Sequence, residues 1–209
     1  MTIARPGKII GVGRNYRDHA SELGHTVPTQ PLFFLKPSTA VIDDGAAIVL
    51  PRDSRQVDFE AEIGVVIGQR LRRATERQIQ AGIAGITCVN DVTARDLQRS
   101  DEQWTRAKGF DTFCPFGPRV VPVDPDRYVD LEVVCRVNGT VRQHGHARDM
   151  VFSIPALITF ISRVMTLEPG DLIATGTPAG VGPLRAGDVV EVEIPGVGVL
   201  KNPVIEEAA

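Results

Sequence analysis

The fold is decided by the stretch Val57-Asp58-Phe59-Glu60-Ala61-Glu62-Ile63-Gly64-Val65-Val66-Ile67-Gly68. Its second half is apolar and β-branched, which is typical of a strand that enters a hydrophobic core. Its first half carries acids at every second position: Asp58, Glu60 and Glu62. Side chains alternate between the two faces of a strand, so we expect these three carboxylates on one face and the apolar side chains between them on the other.

Three negative charges on one strand face repel one another, and a cation between them would offset that repulsion. Carboxylate oxygens are hard ligands, which favours Mg²⁺, Mn²⁺ or Ca²⁺. The alternative is a solvated face, since strands of antiparallel sheets commonly alternate apolar and polar residues. The spacing alone leaves both interpretations open.

Composition limits the class of protein. The 209 residues predict one compact domain spanning positions 1–209. With a net charge of −3, the chain lacks the excess of basic residues that is typical of nucleic-acid-binding proteins. No apolar run reaches the roughly 18 residues of a membrane span, and the N-terminus shows no signal-peptide pattern. Cys88, Cys114 and Cys135 are widely spaced and odd in number, which argues against disulfides and zinc and favours a cytoplasmic location.

A histidine and a glutamate lie near the N-terminus on one expected helix. The pattern predicts a short helix from Tyr16 to about Leu23, with Asn15 as its N-cap and Gly24 as its stop. His19 and Glu22 are three positions apart and would share a face. A histidine oriented by a carboxylate keeps one tautomer and gains basicity, as a general base requires. The alternative is a surface pair without a catalytic role.

Other charged residues follow apolar strands. Lys36 comes directly after one such strand and is either a snorkelling edge lysine or an anion contact. Asp91 closely follows the apolar stretch Ile83–Val89 and would supply a further carboxylate. Arg95 and Lys108 are candidates for fixing an anionic substrate, although such residues are also common as solvated surface charges.

The second half of the chain is predicted to be rich in strands. Asn138-Gly139 between two β-type segments indicates a hairpin. His144 and His146 near its end suggest either a metal site or, more commonly, surface histidines. The residues from Ser153 to Val164 predict an amphipathic helix. The glycine-rich loop at Thr175–Gly182 lacks the Gly-Lys-Ser/Thr of a P-loop, but its backbone amides are suited to holding a carboxylate.

Six motifs in this order resemble the fumarylacetoacetate hydrolase family, over nearly the whole chain. They are Gly13-Arg14-Asn15-Tyr16 with Asp18-His19, Phe34-Leu35-Lys36-Pro37-Ser38, Val57–Glu62, Asn90–Gln98, Ala107-Lys108-Gly109-Phe110 and Thr175–Gly182. The chain looks most similar to the short, single-domain acylpyruvase and oxaloacetate decarboxylase branch. Against the family pattern we expect two departures, the absence of an extra N-terminal segment and a poor alignment at Gly24–Pro31.

The resemblance implies a fold and a set of site residues. The fold is α+β but predominantly β, a mixed β-roll or sandwich with short flanking helices, usually a homodimer. Glu60, Glu62 and Asp91 would bind Mg²⁺ or Mn²⁺ (Ca²⁺ in crystals), with Asp58 as a neighbour. His19, Glu22 and Lys108 would be catalytic. The implied substrate-binding residues are Arg14, Lys36, Ser38, Arg95, Gln98, Gly176 and Thr177.

The chemistry expected of such a site concerns 2-oxo acids. Their carboxylate and keto oxygens can chelate a metal ion, and cleavage beyond C3 leaves a pyruvate enolate whose charge the metal stabilises. The pair His19 and Glu22 favours hydrolysis of 2,4-dioxo acids such as acetylpyruvate or fumarylpyruvate. The alternatives are decarboxylation of oxaloacetate, an isomerase of aromatic catabolism acting on 2-hydroxyhepta-2,4-diene-1,7-dioate or 5-carboxymethyl-2-hydroxymuconate, and a non-catalytic binder of 2-oxo acids. A glycosidase is a distant rival, disfavoured by the 5% aromatic content.

Overall fold

The computed structural model describes residues 5–22 and 26–208, without the side chains of residues 19–21. The strands are β1 (Ile9–Gly13), β2 (Leu32–Lys36), β3 (Val41–Ile42), β4 (Ile48–Leu50), β5 (Val57–Phe59), β6 (Ala61–Ile67), β7 (Ile83–Asn90), β8 (Thr93–Ala94), β9 (Cys114–Val121), β10 (Glu132–Val137), β11 (Thr140–His146), β12 (Leu172–Ala174), β13 (Gly182–Pro183), β14 (Val189–Ile194) and β15 (Gly198–Glu206). The α-helices are α1 (Arg17–Glu22), α2 (Glu76–Gly82), α3 (Arg95–Ser100), α4 (Thr105–Lys108) and α5 (Ile154–Val164). Short 3-10 helices cover Ser38–Ala40, Pro125–Asp130 and Ala147–Asp149.

The strands form three sheets among the described residues. A seven-stranded sheet has the order β2-β1-β12-β6-β7-β9-β3, and a five-stranded sheet has the order β11-β10-β14-β15-β4. A small sheet, β13-β5-β8, lies beside them. Most neighbours are antiparallel, but β1 with β12, β3 with β9 and β4 with β15 are parallel. The predicted α+β, predominantly β class with mixed sheets and short flanking helices is therefore confirmed.

The main core lies between the two large sheets. One cluster of buried side chains joins Ile63 of β6 and Ile86 of β7 to Val133 of β10 and Val192 of β14. A second cluster, which includes Val89 and Leu172, covers the opposite face of the seven-stranded sheet. Strands buried on both faces need apolar residues at nearly every position, which explains the unbroken run at the end of β6.

The acidic stretch is not one strand, as its sequence predicted, but two. β5 pairs with β8 and β13 in the small sheet, whereas β6 pairs with β7 and β12 in the large one. Glu60 lies at the break, where its backbone N–H donates to the side-chain oxygen of Asn90 at 2.9 Å. The apolar residues Phe59, Ala61 and Ile63 all enter the main core, as the alternation predicted.

Two local predictions from sequence are confirmed. Asn138 and Gly139 both adopt positive φ, at 53° and 78°, and form the turn between β10 and β11. Helix α5 follows Ser153 and carries proline in its first turn. Within residues 5–22 and 26–208, no helix is long and apolar enough to cross a membrane.

Helix α5 provides a test of the main core. Leu157 is fully buried in that cluster, whereas Val164 at the end of the same helix is 56% exposed. We expect Leu157→Ala to lower the free energy of unfolding by about 2–5 kcal/mol, because it removes buried methyl groups and leaves a cavity. Val164→Ala is the matched control and should change it by less than about 0.5 kcal/mol. Urea unfolding of both variants checks this, and equal losses would contradict the placement of α5.

Candidate active site

Three buried carboxylates converge where β6 and β7 meet. The antiparallel register pairs Ala61 with Asn90, which brings Asp91 beside Glu60, and the Asp91 N–H donates to the Glu60 carbonyl at 2.8 Å. Glu62 follows two positions along β6. Oxygen atoms of Glu60, Glu62 and Asp91 lie within 4.8 Å of one another, and each residue is at most 4% exposed. The structure thus brings together the three predicted ligands.

Two buried lysines compensate this negative charge. The Lys108 ammonium donates to Glu60 Oε2 at 2.7 Å and to Asp91 Oδ2 at 2.6 Å. The Lys36 ammonium donates to Asp91 Oδ1 at 2.5 Å and to the Val92 carbonyl at 3.2 Å. Burial of a carboxylate is strongly unfavourable without such partners, so both lysines stabilise the folded site.

Arg95 separates Asp58 from the cluster. Its Nη2 donates to Glu60 Oε1 at 2.7 Å, while its Nε donates to Asp58 Oδ2 at 2.9 Å and its Nη1 to Gln98 Oε1 at 2.6 Å. Asp58 also accepts a hydrogen bond from the Gln56 amide. Asp58 therefore holds Arg95 in place and lies outside the group of three carboxylates.

Burial and neighbouring charges act against the ionised form of Glu62. Burial, followed by the charges of Asp91 and Glu60, raises the pKa of Glu62 well above its ordinary value. The Lys108 ammonium and the Gly176 N–H, which donates to Glu62 Oε2 at 2.7 Å, oppose this increase. Buried oxygen donors that remain under repulsion fit a hard divalent cation. The donor set is therefore suited to a metal of the Mg²⁺ class.

A cavity of about 270 Å³ lies beside this cluster. Its lining consists of Val12, Gly13, Arg14, Phe34, Glu60, Glu62, Asp91, Arg95, Gln98, Arg99, Trp104, Lys108 and Thr177. The Phe34 and Trp104 rings meet edge to face at 5.5 Å and form an apolar wall. Sequence reasoning assigned no role to either ring. The one signal available for Trp104 was that it is the only tryptophan in the sequence and lies in a polar stretch.

Arg14 lies in the cavity lining in an unusual conformation. Its φ is +59°, in the left-handed region that non-glycine residues rarely adopt, and its guanidinium carbon lies 6.0 Å from the centre of the Trp104 ring. Its buried Nε has no hydrogen-bond partner among the described residues. Backbone strain of this kind concentrates at ligand sites.

The predicted substrate-binding residues fall into two groups. Arg14, Arg95, Gln98 and Thr177 line the cavity, as does Lys108. The other three predicted residues are not among the described residues that line the cavity. Lys36 is engaged with Asp91, Gly176 supports Glu62, and Ser38 begins a 3-10 helix.

Gln143 is a supporting residue that the sequence did not reveal. It lies on β11, is 1% exposed, and its Oε1 accepts from the Ala61 N–H at 2.9 Å. Its amide nitrogen donates to Thr177 Oγ1 and to the Pro178 carbonyl, both at 2.7 Å. One side chain of the five-stranded sheet thus ties the acidic strand to the glycine-rich loop.

Helix α1 begins at Arg17, and the predicted N-cap at Asn15 is wrong. The Asn15 side chain is instead bonded to the Phe152 backbone and to the Thr175 carbonyl. His19 lies on α1, but its side chain and the predicted stop at Gly24 are outside the described part. The exposed Glu22 carboxylate accepts from the Gly180 N–H at 3.2 Å. Because the His19 side chain lies outside the described part, the His19–Glu22 pairing stays a prediction.

The chain is similar to known proteins over almost its full length. Residues 8–205 match the family model described as fumarylacetoacetate (FAA) hydrolase C-terminal. A Methanocaldococcus jannaschii protein is 50% identical over 97% of this chain and 85% of its own. The mitochondrial oxaloacetate tautomerase FAHD2A of Bos taurus is 43% identical over 97% of this chain and 68% of its own.

A solved structure supports the same assignment. The 5-carboxymethyl-2-hydroxymuconate delta-isomerase of Mycobacterium smegmatis superposes with a TM-score of 0.90 at 44% identity, covering 98% of this chain and 81% of that one. The family model matches almost the full chain, and the relatives share this level of identity over nearly all of it. Together these matches establish the family. The chain belongs to the fumarylacetoacetate hydrolase family.

Proposed function

We propose that the protein is a divalent-metal-dependent enzyme that interconverts the keto and enol forms of a 2-oxo acid, with oxaloacetate as the first candidate substrate. The observation that carries the proposal is the buried group Glu60, Glu62 and Asp91 at the cavity wall, with the Lys108 ammonium bonded to Glu60 and Asp91. The names of two similar proteins, an oxaloacetate tautomerase and a delta-isomerase, favour proton transfer over bond cleavage.

Glu60, Glu62 and Asp91 are the residues that would hold the ion, and their hard oxygens favour Mg²⁺ or Mn²⁺. When bound, such an ion polarises a keto oxygen and thereby acidifies the C–H bond next to the carbonyl.

Lys108 supplies a fixed positive charge and hydrogen-bond donor. Burial lowers the pKa of Lys108, but the charges of Asp91 and Glu60 outweigh this and the pKa is raised overall. Its Nζ therefore stays protonated, and the N–H that it does not give to Glu60 or Asp91 would donate to the keto oxygen as that oxygen gains charge, while the C3 proton would pass to solvent water. The Lys108 Nζ also lies 5.0 Å from the centre of the Phe34 ring, which fixes it against the apolar wall.

The substrate carboxylate would be oriented by Arg95 and Gln98. These two side chains are bonded to each other and line the same cavity, so they would present adjacent donors to one carboxylate. The Thr177 hydroxyl donates to the Ala61 carbonyl and accepts from Gln143, so its proton is committed within the protein. Thr177 thus contributes the shape of the cavity wall.

Hydrolysis of 2,4-dioxo acids is the second candidate. The contact between Glu22 and the Gly180 N–H holds α1, which carries His19, against the glycine-rich loop. In this reaction the His19 ring would accept a proton from water attacking the C4 carbonyl, the C3–C4 bond would break, and the same proton would go to the pyruvate portion, which would leave as its enol.

One assay separates these reactions. The ultraviolet absorbance of enol-oxaloacetate and of acetylpyruvate is followed with Mg²⁺ or Mn²⁺ and with EDTA, and products are identified by NMR. Metal-dependent enol loss that leaves oxaloacetate intact supports the tautomerase. Release of pyruvate from oxaloacetate indicates a decarboxylase, and release of acetate and pyruvate from acetylpyruvate indicates a hydrolase. Absence of all three activities with metal present would overturn the proposal.

Replacing Lys108 tests its role directly. We expect Lys108→Met to lower kcat/KM for the metal-dependent reaction by about 10²–10³-fold, because an ammonium donor at the developing charge is lost. Lys201→Met is the matched control, since Lys201 is exposed and pairs with Glu191 on the surface. It should leave kcat/KM unchanged. Full activity of Lys108→Met in steady-state assays would rule out this role.

The metal ligands are tested by changing each acid to its amide. Glu60→Gln, Glu62→Gln and Asp91→Asn should each weaken Mn²⁺ binding by more than about 100-fold, since each removes a charged ligand. Asp58→Asn acts through Arg95, one contact further from the ion, and should weaken Mn²⁺ binding by about tenfold, the low end of the effect expected for an outer-shell partner. Isothermal titration with Mn²⁺ measures all four. If Asp58→Asn loses as much affinity as the others, the assignment of three ligands fails.

A further inference from the structure

A second group of possible ligands lies on the β10–β11 hairpin. The register places Glu132 of β10 directly opposite His146 of β11, and His144 lies two positions before His146. Residues i and i+2 of a strand share a face, so all three side chains project from the same side of the hairpin. β11 is the edge strand of its sheet, and His144 on this face is exposed.

The three side chains are already close together. Their candidate ligand atoms lie within 4.8 Å of one another. His144 Nε2 and Glu132 Oε1 are 2.6 Å apart, and the two imidazole rings are 5.1 Å apart at 47° to each other. His144 is exposed, and Glu132 and His146 are half-buried. The group therefore combines preformed spacing with access from solvent.

Buried contacts beneath the histidines fix their strand. Gly145, between them, packs so closely on Pro178 that a Cβ at this position would lie 2.6 Å from the Pro178 Cβ. Gln143, on the inward face, is bonded to Ala61, Thr177 and Pro178. A ligand set on a strand held in this way loses little freedom when it binds an ion.

We propose that Glu132, His144 and His146 form a binding site for a borderline divalent cation such as Zn²⁺, Ni²⁺ or Cu²⁺. Two imidazoles and one carboxylate match the donor preference of these ions, whereas the three-carboxylate cluster matches hard ions. The two sites differ in donor type, and they therefore differ in the cation that each selects.

Arg148 lies beside this site and affects its affinity for a cation. Its Nη2 lies 3.3 Å from His146 Nδ1. A guanidinium only donates hydrogen bonds, so this contact occupies a ring nitrogen lone pair and places a positive charge near the ion. Arg148 is exposed, and its side chain is free to rotate toward solvent. Arg148 therefore competes with the cation and weakens its binding.

Zinc titration of the intact protein tests the proposal, with saturating Mg²⁺ to fill the carboxylate cluster. We expect one equivalent of Zn²⁺ to bind, with affinity lowered at least about tenfold by His144→Ala and by His146→Ala. Glu62→Gln should leave this zinc equivalent in place, because that residue belongs to the other cluster. Glu191→Gln, on a neighbouring strand, is the surface control and should behave like the unmodified chain.

Arg148→Met should change the zinc affinity in the opposite direction from the histidine variants. It should raise the zinc affinity several-fold, since a competing charge is removed. Misfolding could not explain such an increase. Zinc binding that is unaffected by both histidine changes, that disappears in Glu62→Gln, or that weakens in Arg148→Met would overturn the proposal. Thermal unfolding curves of each variant confirm that the hairpin remains folded.

Discussion

The charge balance around Glu60 and Asp91 is the constraint on which the rest of the structure depends. Carboxylates removed from water are strongly destabilising unless opposite charges and hydrogen bonds accompany them. Lys36, Lys108 and Arg95 provide these charges, and each arrives from a different element. The meeting of β2, α3 and α4 at the end of β6 and β7 is therefore required by electrostatics as well as by packing.

The alternation of residues 57–68 was enough to predict which apolar side chains enter the core, but it placed Asp58 together with Glu60 and Glu62, whereas Asp58 binds Arg95 outside the carboxylate cluster. It could not predict the break at Glu60, because the break arises from pairing with β7 and β8, and such pairing is invisible in local periodicity. The Asn138-Gly139 turn was predictable because its signal is local. The Asn15 cap failed because the Asn15 side chain satisfies distant backbone groups instead.

Predictions for the candidate site divide in the same way, between residues that carry a signal in the sequence and residues whose role depends on the folded structure. The family resemblance implied Glu60, Glu62 and Asp91 as the ligand set, but the role of Lys36 behind Asp91 depends on geometry that only the folded chain reveals. Gln143 carried no signal at all, since a glutamine in a hairpin strand is ordinary until its partners are known. Supporting residues of this kind can be identified only from their contacts in the folded structure.

The bonds that hold the site cross long stretches of chain. The Gly176 N–H reaches back 114 positions to Glu62, and Gln143 reaches back 82 positions to Ala61. Contacts of such high sequence separation form only when the intervening chain has closed, which costs loop-closure entropy and slows folding. During synthesis the acidic strand emerges long before the loop that completes it. Assembly of the reactive centre is thus coupled to completion of the domain, and a partly made chain holds its acids without the surroundings that would let them act.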